Sequence, residues 1–411
     1  MTEDTVMDEV KLADESTQWY TAGVGLDQIR VLEEQSYRVI ERLRETAFAP
    51  DGQKELRIRF SITQAAAMVG RTTVTIREAE KAGRLPEQEK DARGRRKGYT
   101  LEQVNLMRRE FGTLSRRADG DEPVVLAVQN FKGGVGKSTL TVHIAQYLAL
   151  HGYRVCVIDC DPQGSTTSLF GVNPDYDLDE DDTLVPFLIG NQDRIGYAVR
   201  DTYWDQLKLV PSNLSLYSME YQLAARLPGN PLLLDKLRNG IATIIDSFDV
   251  VLIDPPPALG MISLSVLRAA NALVVPVRPA TIDFGSTAHF FTMLSEALAS
   301  LEKHGMSARY KFLKVLGNDM DENKSAHTEI THMMQQVYGS HMLATVMRDS
   351  AEIDNAGGRL LTVYELQGPM TSKKVHDRCK VYLNAFIREI EILIRQTWPS
   401  HRDALRQQGL L

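Results

Sequence analysis

The run Phe131-Lys132-Gly133-Gly134-Val135-Gly136-Lys137-Ser138-Thr139 packs three glycines, two lysines and two hydroxyls into nine residues. It follows a strand-like run, VVLAVQN at 124–130, and leads into LTVHIAQYLALHGY, where Leu140, Ile144 and Leu148 recur at helical steps. Glycines let successive backbone N–H groups turn inward around an anion, and the first turn of a helix presents its positive end to that anion. In such a loop Lys137 neutralises β- and γ-phosphates, and the Ser138 hydroxyl ligates Mg²⁺. The expected ligand is a nucleoside triphosphate with Mg²⁺, held by residues 132–139.

Two acidic motifs fall at the ends of later strand-like runs. VIDCDPQGS supplies Asp159 and Asp161, and DVVLIDPPP supplies Asp254. An apolar strand that ends on Asp254 can deliver it to the Mg²⁺ shell, through water because Mg²⁺ dehydrates reluctantly. Taken singly, either motif also reads as a strand-end carboxylate capping the next helix. With the glycine loop ahead of them in chain order, they read as parts of one phosphate site.

The elements that must position these residues are short apolar runs at 124–130, 154–159, 207–212, 249–254, 272–277 and 312–318, with helical stretches between. Runs that are apolar almost throughout suit strands buried on both faces, so the pattern predicts a mostly parallel sheet flanked by helices. The expected fold class is an α/β P-loop NTPase preceded by an α-helical arm and a DNA-reading unit. The expected boundaries are an arm at 1–53, the DNA-reading unit at 54–114, a linker at 115–123, the ATPase at 124–400 and a tail at 401–411.

Within the arm, residues 1–20 are polar, and the stretch from Gly25 to about Phe48 reads as one helix with Leu26, Ile29, Ile40 and Leu43 at helical spacings. Pairing with a copy of itself and packing on its own domain both fit that pattern; a symmetric operator favours pairing.

Charge is uneven along the chain. The net charge is −7, yet residues 1–53 hold twelve acids against five bases and residues 54–117 hold sixteen bases against eight acids. A basic segment inside an acidic protein suggests a nucleic-acid footprint, although a solvated surface gives the same count. Here Ser61 precedes an apolar face of Ile62, Ala65, Ala66 and Val69, and Gly70 makes the turn. Thr72 or Thr73 then caps a second helix in which Val74, Ile76 and Ala79 are expected to pack, while Thr75, Arg77 and Lys81 face out. A basic loop at 90–97 precedes a further helix that starts near Leu101. This order resembles the winged helix-turn-helix of MerR-like regulators, which implies that the second helix enters the major groove and the wing touches backbone. Thr73, Thr75 and Arg77 are then candidate base readers, and Arg93, Arg95, Arg96 and Lys97 candidate phosphate contacts. A small helical packing module with a solvated loop is the plainer alternative.

Several function classes are excluded or weakened. The three cysteines lack metal-ligand spacing and cannot build a disulfide framework, which suits a reducing cytoplasm. No apolar run reaches the ~20 residues of a membrane span, and the acidic N-terminus is unlike a signal peptide. The expected location is cytoplasmic.

Lys132, ahead of the paired glycines, sets this loop apart from ordinary P-loops. KGGVGKST resembles the deviant Walker A of the ParA/MinD family. The resemblance implies ATP as the nucleotide and a Lys132 that reaches the phosphates in the facing subunit of a homodimer, joining Lys137 and Asp161 in catalysis. It also implies that Asp161 orients the attacking water, that Asp159 supports loop and metal, and that Asn318 contacts adenine, although Asn318 reads equally as a turn residue. Together with the upstream unit, FKGGVGKST, AQYLALHGYRV, IDCDPQGS, DVVLIDPPP and TVYEL resemble the large ParA proteins, above all the partition ATPase and autorepressor of repABC-type replicons. Cys160 and the prolines at 255–257 vary the wording slightly. That resemblance implies an ATP-dependent sandwich dimer on non-specific, nucleoid DNA, released by slow hydrolysis that a ParB-type centromere-binding protein stimulates. It also implies repression of the partition operon through operator-specific DNA binding. Non-specific DNA would meet the C-terminal third, where Arg348, Arg359, Lys373 and Lys374 are the candidates. A MinD-like membrane-associated positioning ATPase is a weak rival, because the tail TWPSHRDALRQQGLL is broken by Pro399 and poor in large apolar residues. A nucleotide-regulated repressor without a segregation role is another; the intact set of Lys132, Lys137, Ser138, Asp161 and Asp254 argues against a dead ATPase.

Overall fold

The computed structural model describes residues 24–47, 54–306 and 309–411. The chain divides into two compact units, one ending at residue 52 and the other beginning at residue 53. In the first, helix α1 (Leu26–Ala47) begins and ends within one residue of the expected limits. Leu26, Ile29 and Ile40 are exposed along it, and an Arg38–Glu34 pair at 2.6 Å braces one turn. Residues 1–20, expected as a polar stretch, lie outside the described residues.

The second unit opens on an extended segment whose alternate residues Leu56, Ile58 and Phe60 pack against one core of the unit, as a strand period of two requires. Three helices follow, α2 (Ile62–Val69), α3 (Thr73–Lys81) and α4 (Leu101–Glu110). Ser61 starts α2 with a reciprocal capping box to Gln64, and Gly70 ends it at φ 67°, a conformation that costs glycine nothing. Thr72, rather than Thr73, caps α3. Ala65, Ala66, Val69, Ile76 and Ala79 form the core of this module with Tyr99 and Val104. Val74 does not join them and is 57% exposed. The buried residues of α3 are Ile76, Ala79 and Glu80, and a residue two before Ile76 is turned by about 200° to the opposite face.

The remainder is a seven-stranded sheet in the order β3-β4-β2-β5-β1-β6-β7. Its strands are β1 (Val124–Val128), β2 (Val155–Asp159), β3 (Arg200–Asp201), β4 (Leu207–Val210), β5 (Val250–Asp254), β6 (Ala272–Val277) and β7 (Phe312–Gly317). Six correspond to the apolar runs in the sequence. The two-residue β3 was not expected, and it alone pairs antiparallel, on β4. Its residues, Arg200 and Asp201, carry no apolar signal. The helices of this layer are α5 (Lys137–Leu150), α6 (Ser165–Leu169), α7 (Val185–Ile189), α8 (Leu216–Arg226), α9 (Lys236–Ala242), α10 (Met261–Ala269), α11 (Thr281–Lys303), α12 (Ser325–Tyr338), α13 (Ala351–Gly357), α14 (Lys373–Gln396) and α15 (Arg402–Gln407).

Alternate residues of β1 feed opposite cores. Val124, Leu126 and Val128 pack with Leu140, Ile144 and Leu148 of α5 and with Phe386 and Ile390 of α14. Val125 and Ala127 pack with Val266 of α10, Phe290 of α11 and Met334 of α12. The carboxyl ends of β1, β2 and β5 therefore meet at one edge of a sheet covered on both faces, where α/β folds place their ligands. Residues 115–123 lie hydrogen-bonded along this layer: Arg116 Nε donates to the Gly152 carbonyl at 3.2 Å, and Arg117 Nε to that of Phe248 at 3.0 Å.

Candidate functional site

Gly134 and Gly136 hold φ values of 73° and 86°, which bend the chain after β1 and start α5 at Lys137. A side chain is strained at either position, and a Cβ on Gly136 would come within 2.7 Å of Asn318 Nδ2. Asn318 follows β7, and its amide donates to the Val135 carbonyl at 2.9 Å. It thus buttresses the loop from within.

Lys137 is 7% exposed, and its ammonium donates to the Lys132 carbonyl at 3.1 Å across the loop. Burial lowers its pKa, while the negative charges of Asp254 and Asp161 pull it back up. The other lysine points elsewhere. Lys132 forms an ion pair with Asp283 in the first turn of α11, and its side chain stays 33% exposed. The two cations of one loop are thus held differently, Lys137 by a backbone carbonyl of its own loop and Lys132 by the Asp283 carboxylate.

Asp159 and Asp254 sit in register on neighbouring strands, and both are fully buried. Asp159 Oδ1 accepts from the Asp161 amide at 3.0 Å. Its Oδ2 accepts from the Thr167 amide at 2.9 Å and the Thr167 hydroxyl at 2.7 Å. Asp254 Oδ2 accepts from the Thr166 hydroxyl at 2.9 Å. Asp254 Oδ1 is buried with no hydrogen-bond partner among the described residues. Burial raises both carboxyls. Asp159 is pushed well above the usual range, with the Asp254 charge adding to the effect. Asp254 rises to about 6, with the Ser138 and Thr166 hydroxyls partly offsetting its burial. Asp161 is 8% exposed and also raised by burial, and its Oδ1 accepts from the Gln163 amide at 3.0 Å.

A buried carboxylate oxygen without a donor, next to a hydroxyl at the first turn of a helix, fits a hard divalent cation that keeps several waters. Asp254 and Ser138 therefore suit Mg²⁺, and the loop of inward N–H groups with Lys137 suits a polyphosphate. A cavity of about 310 Å³ adjoins the loop, lined by Gly134, Gly136, Asn318, Arg348 and Asp354 among others. Arg348, expected on a DNA surface, sits in this wall, paired with Glu322 and lying 4.4 Å over the Tyr382 ring. Arg359, Lys373 and Lys374 are exposed.

Three supporting residues were not singled out in the sequence. Asp283, Thr166 and Thr167 each hold a charged group of the site. Thr166 and Thr167 directly follow the DPQGS motif, and hydroxyls one turn past a strand-end acid were the available signal. Asp283 lies in RPATIDFGST, where nothing local marks it as the partner of Lys132.

In the upstream module, Arg77 is exposed on α3 and Thr73 half-buried. The Thr75 hydroxyl, also half-buried, lies 2.9 Å from that of Thr72 and belongs to the cap. The basic loop is a small hairpin: Lys90 bridges Arg96, and the Lys97 amide donates to the Glu89 carbonyl at 2.9 Å. Three of its cations face carboxylates, Arg95 with Asp91 at 3.0 Å, Arg96 with Glu80 at 3.4 Å and Lys97 with Glu89 at 3.5 Å. Arg93 is exposed, and no carboxylate pairs with it among the described residues.

Residues 124–304 match the family model described as "AAA domain". Protein SopA of Escherichia coli (strain K12) is 38% identical over 326 residues, covering 77% of this chain and 83% of that protein. A putative replication protein A of Rhizobium rhizogenes is 31% identical, covering 85% of this chain and 90% of that one. A solved structure named Partition Protein superposes with a TM-score of 0.64 over 89% of this chain and 98% of its own, at 20% identity, and so shares the fold. No helix among the described residues is long and apolar enough to cross a membrane.

Proposed function

The chain belongs to the ParA-type plasmid partition ATPases, proteins of DNA segregation, and from that premise we propose that ATP both fuels it and joins two copies face to face. The observation that carries this reading is the divergence of the two loop lysines. Lys137 is buried in its own loop, while Lys132 is held outward by Asp283 with a third of its side chain in solvent. A cation so placed can be transferred to the phosphates of a facing subunit, where a charge-assisted contact is worth more than an exposed ion pair.

Residues 132–139 hold the triphosphate, Lys137 neutralises its terminal oxygens, and Ser138 and Asp254 hold Mg²⁺. Mg²⁺ held by Ser138 and Asp254 would supply charge neutralisation on the phosphates. Asp161 orients the attacking water through Oδ2, since Oδ1 is committed to the Gln163 amide. Asp159 secures the turn that carries Asp161. Asn318 steadies the loop through the Val135 carbonyl and, from the cavity wall it belongs to, contacts adenine.

Partners of this family include DNA and a ParB-type protein. For this chain we assign operator-specific DNA to a winged module at 54–114, with Thr73, Thr75 and Arg77 on bases and Arg93, Arg95, Arg96 and Lys97 on phosphates. The linker is 115–123 and the ATPase 124–400. Helix α1, with its exposed apolar residues, pairs two copies on a symmetric operator, and that binding represses the partition operon. Arg359, Lys373 and Lys374 serve non-specific nucleoid DNA, and Arg348 serves the nucleotide cavity it lines. A ParB-type partner triggers hydrolysis and release.

The test is a binding titration with ATP, ADP and no nucleotide, on random duplex and on DNA upstream of the protein's own gene, at two salt concentrations. Mass is followed by sedimentation. ATP is expected to produce a dimer that gains affinity for random duplex. An ATP-loaded monomer with unchanged DNA affinity overturns the reading.

A further inference from the structure

We infer that Lys54, on the extended segment ahead of α2, is a positioning residue for ATP hydrolysis, because it anchors the helix that holds both site carboxylates. Its side chain is 2% exposed. The ammonium donates to the Leu169 carbonyl at 2.6 Å and the Leu360 carbonyl at 2.7 Å, and pairs with Glu365 at 3.0 Å. Three N–H donors thus meet three acceptors, and a buried charge is satisfied only when all are met. Glu365 is fixed in turn by the Thr362 amide at 2.6 Å and by the Tyr203 hydroxyl.

Leu169 is the last residue of α6, and the last carbonyls of a helix have no partner within it. Helix α6 is five residues long, so one anchored carbonyl sets the position of the whole element. Its Thr166 holds Asp254 and its Thr167 holds Asp159. Lys54 therefore reaches the carboxylates through a chain of three contacts: ammonium to Leu169, Leu169 along one turn to the threonines, threonines to Asp159 and Asp254. Tight packing makes this chain stiff. A Cβ on Gly171, just past α6, would lie 2.8 Å from Lys54 Cβ.

The P-loop helix has a matching anchor. Arg108 of α4, 2% exposed, donates Nη2 to the carbonyl of Leu150 at the end of α5, at 2.7 Å, and Nε to the Met68 carbonyl in α2 at 3.2 Å. The two helices that begin at the nucleotide motifs thus both end on a buried cation from the segment upstream of the ATPase layer. Positioning of the hydrolytic carboxylates is in this way built into the module that we assign to operator DNA. The inference rests on the proposed roles of Asp159 and Asp254.

Steady-state ATP turnover by the full chain tests it. Lys54→Met combined with Glu365→Gln removes the anchor without leaving a buried unpaired carboxylate; Tyr203→Phe loosens the same cluster while keeping the Lys54–Glu365 pair and the contact to Leu169. The double variant is expected to lose kcat about tenfold, the scale of a sub-ångström misplacement of catalytic groups. Its KM for ATP should stay within about twofold, because the phosphate loop itself is untouched. Tyr203→Phe should keep wild-type kcat. The inference is overturned if the double variant keeps kcat, if KM rises instead, or if Tyr203→Phe is equally slow. If the double variant does not fold, Lys54→Gln, whose amide keeps two of the three N–H donors and no charge, replaces it under the same criteria. Absence of turnover in the wild type would instead refute the nucleotide reading; wild-type turnover with unaffected variants would refute only the role of Lys54.

Discussion

Replacing Asp283 with asparagine is expected to tighten the ATP-dependent dimer. Lys132 must leave Asp283 to reach a nucleotide in the facing subunit, so the ion pair opposes dimerisation. At an effective dielectric near 20, two charges about 4 Å apart attract by roughly 4 kcal/mol. The Lys132 side chain is 33% exposed, however, while Asp283 is 9% exposed. Solvent screening and the rotamer entropy of lysine bring the net value of such a pair to about 1 kcal/mol. A symmetric dimer breaks two of these pairs, so asparagine should lower the dimer dissociation constant by about 2 kcal/mol, or roughly 30-fold. Sedimentation with a hydrolysis-resistant ATP analogue reads the constant directly. The gain should shrink at high salt and be absent with ADP. An Asp283→Asn protein that dimerises no more tightly than wild type would refute the idea that Lys132 is borrowed from this pair.

Other expectations follow from the same geometry. Lys137→Ala should weaken binding of a fluorescent ATP analogue by 100-fold or more, on the order of the 3 kcal/mol attached to breaking a buried charge contact. Asp254→Asn should abolish turnover yet raise the melting temperature of the nucleotide-free protein at pH 7–8. The folded carboxyl titrates at about 6, above its unfolded value, so the native state binds the extra proton and stability is lost as pH rises through that window; the difference between variant and wild type should vanish below pH 4. Arg93→Ala should weaken binding to operator and random duplex alike and reduce the salt slope by about one. Arg77→Ala should instead relax operator specificity by about 1–3 kcal/mol at one base position, measured against single-base operator variants.

Much of the site was legible in the amino-acid order because its parts are local. The glycine loop, Lys137 and Ser138 lie within one strand–turn–helix, and Asp159 and Asp254 each end an apolar run, so consecutive residues carry their own geometry. The six long strands were legible for the same reason, since residues buried on both faces need no polar alternation. The helix starts near Ser61 and near Thr72 or Thr73 were legible because Ser61 and Thr72 cap amides three residues on.

Tertiary structure alone decided the pairings between distant segments. No local rule links Lys132 to Asp283, Lys54 to Glu365, or Asn318 to the Val135 carbonyl. The insertion of β5 between β1 and β2 is likewise absent from chain order, yet it sets Asp159 beside Asp254 and so creates the buried carboxyl pair. Val74 and Arg348 show the same limit in reverse. An apolar residue on a short helix and an isolated arginine look alike in sequence wherever they end up. Only the packed neighbours decide whether the first meets solvent and the second lines the cavity beside the glycine loop, because desolvation and ion pairing depend on distances that the chain acquires by folding.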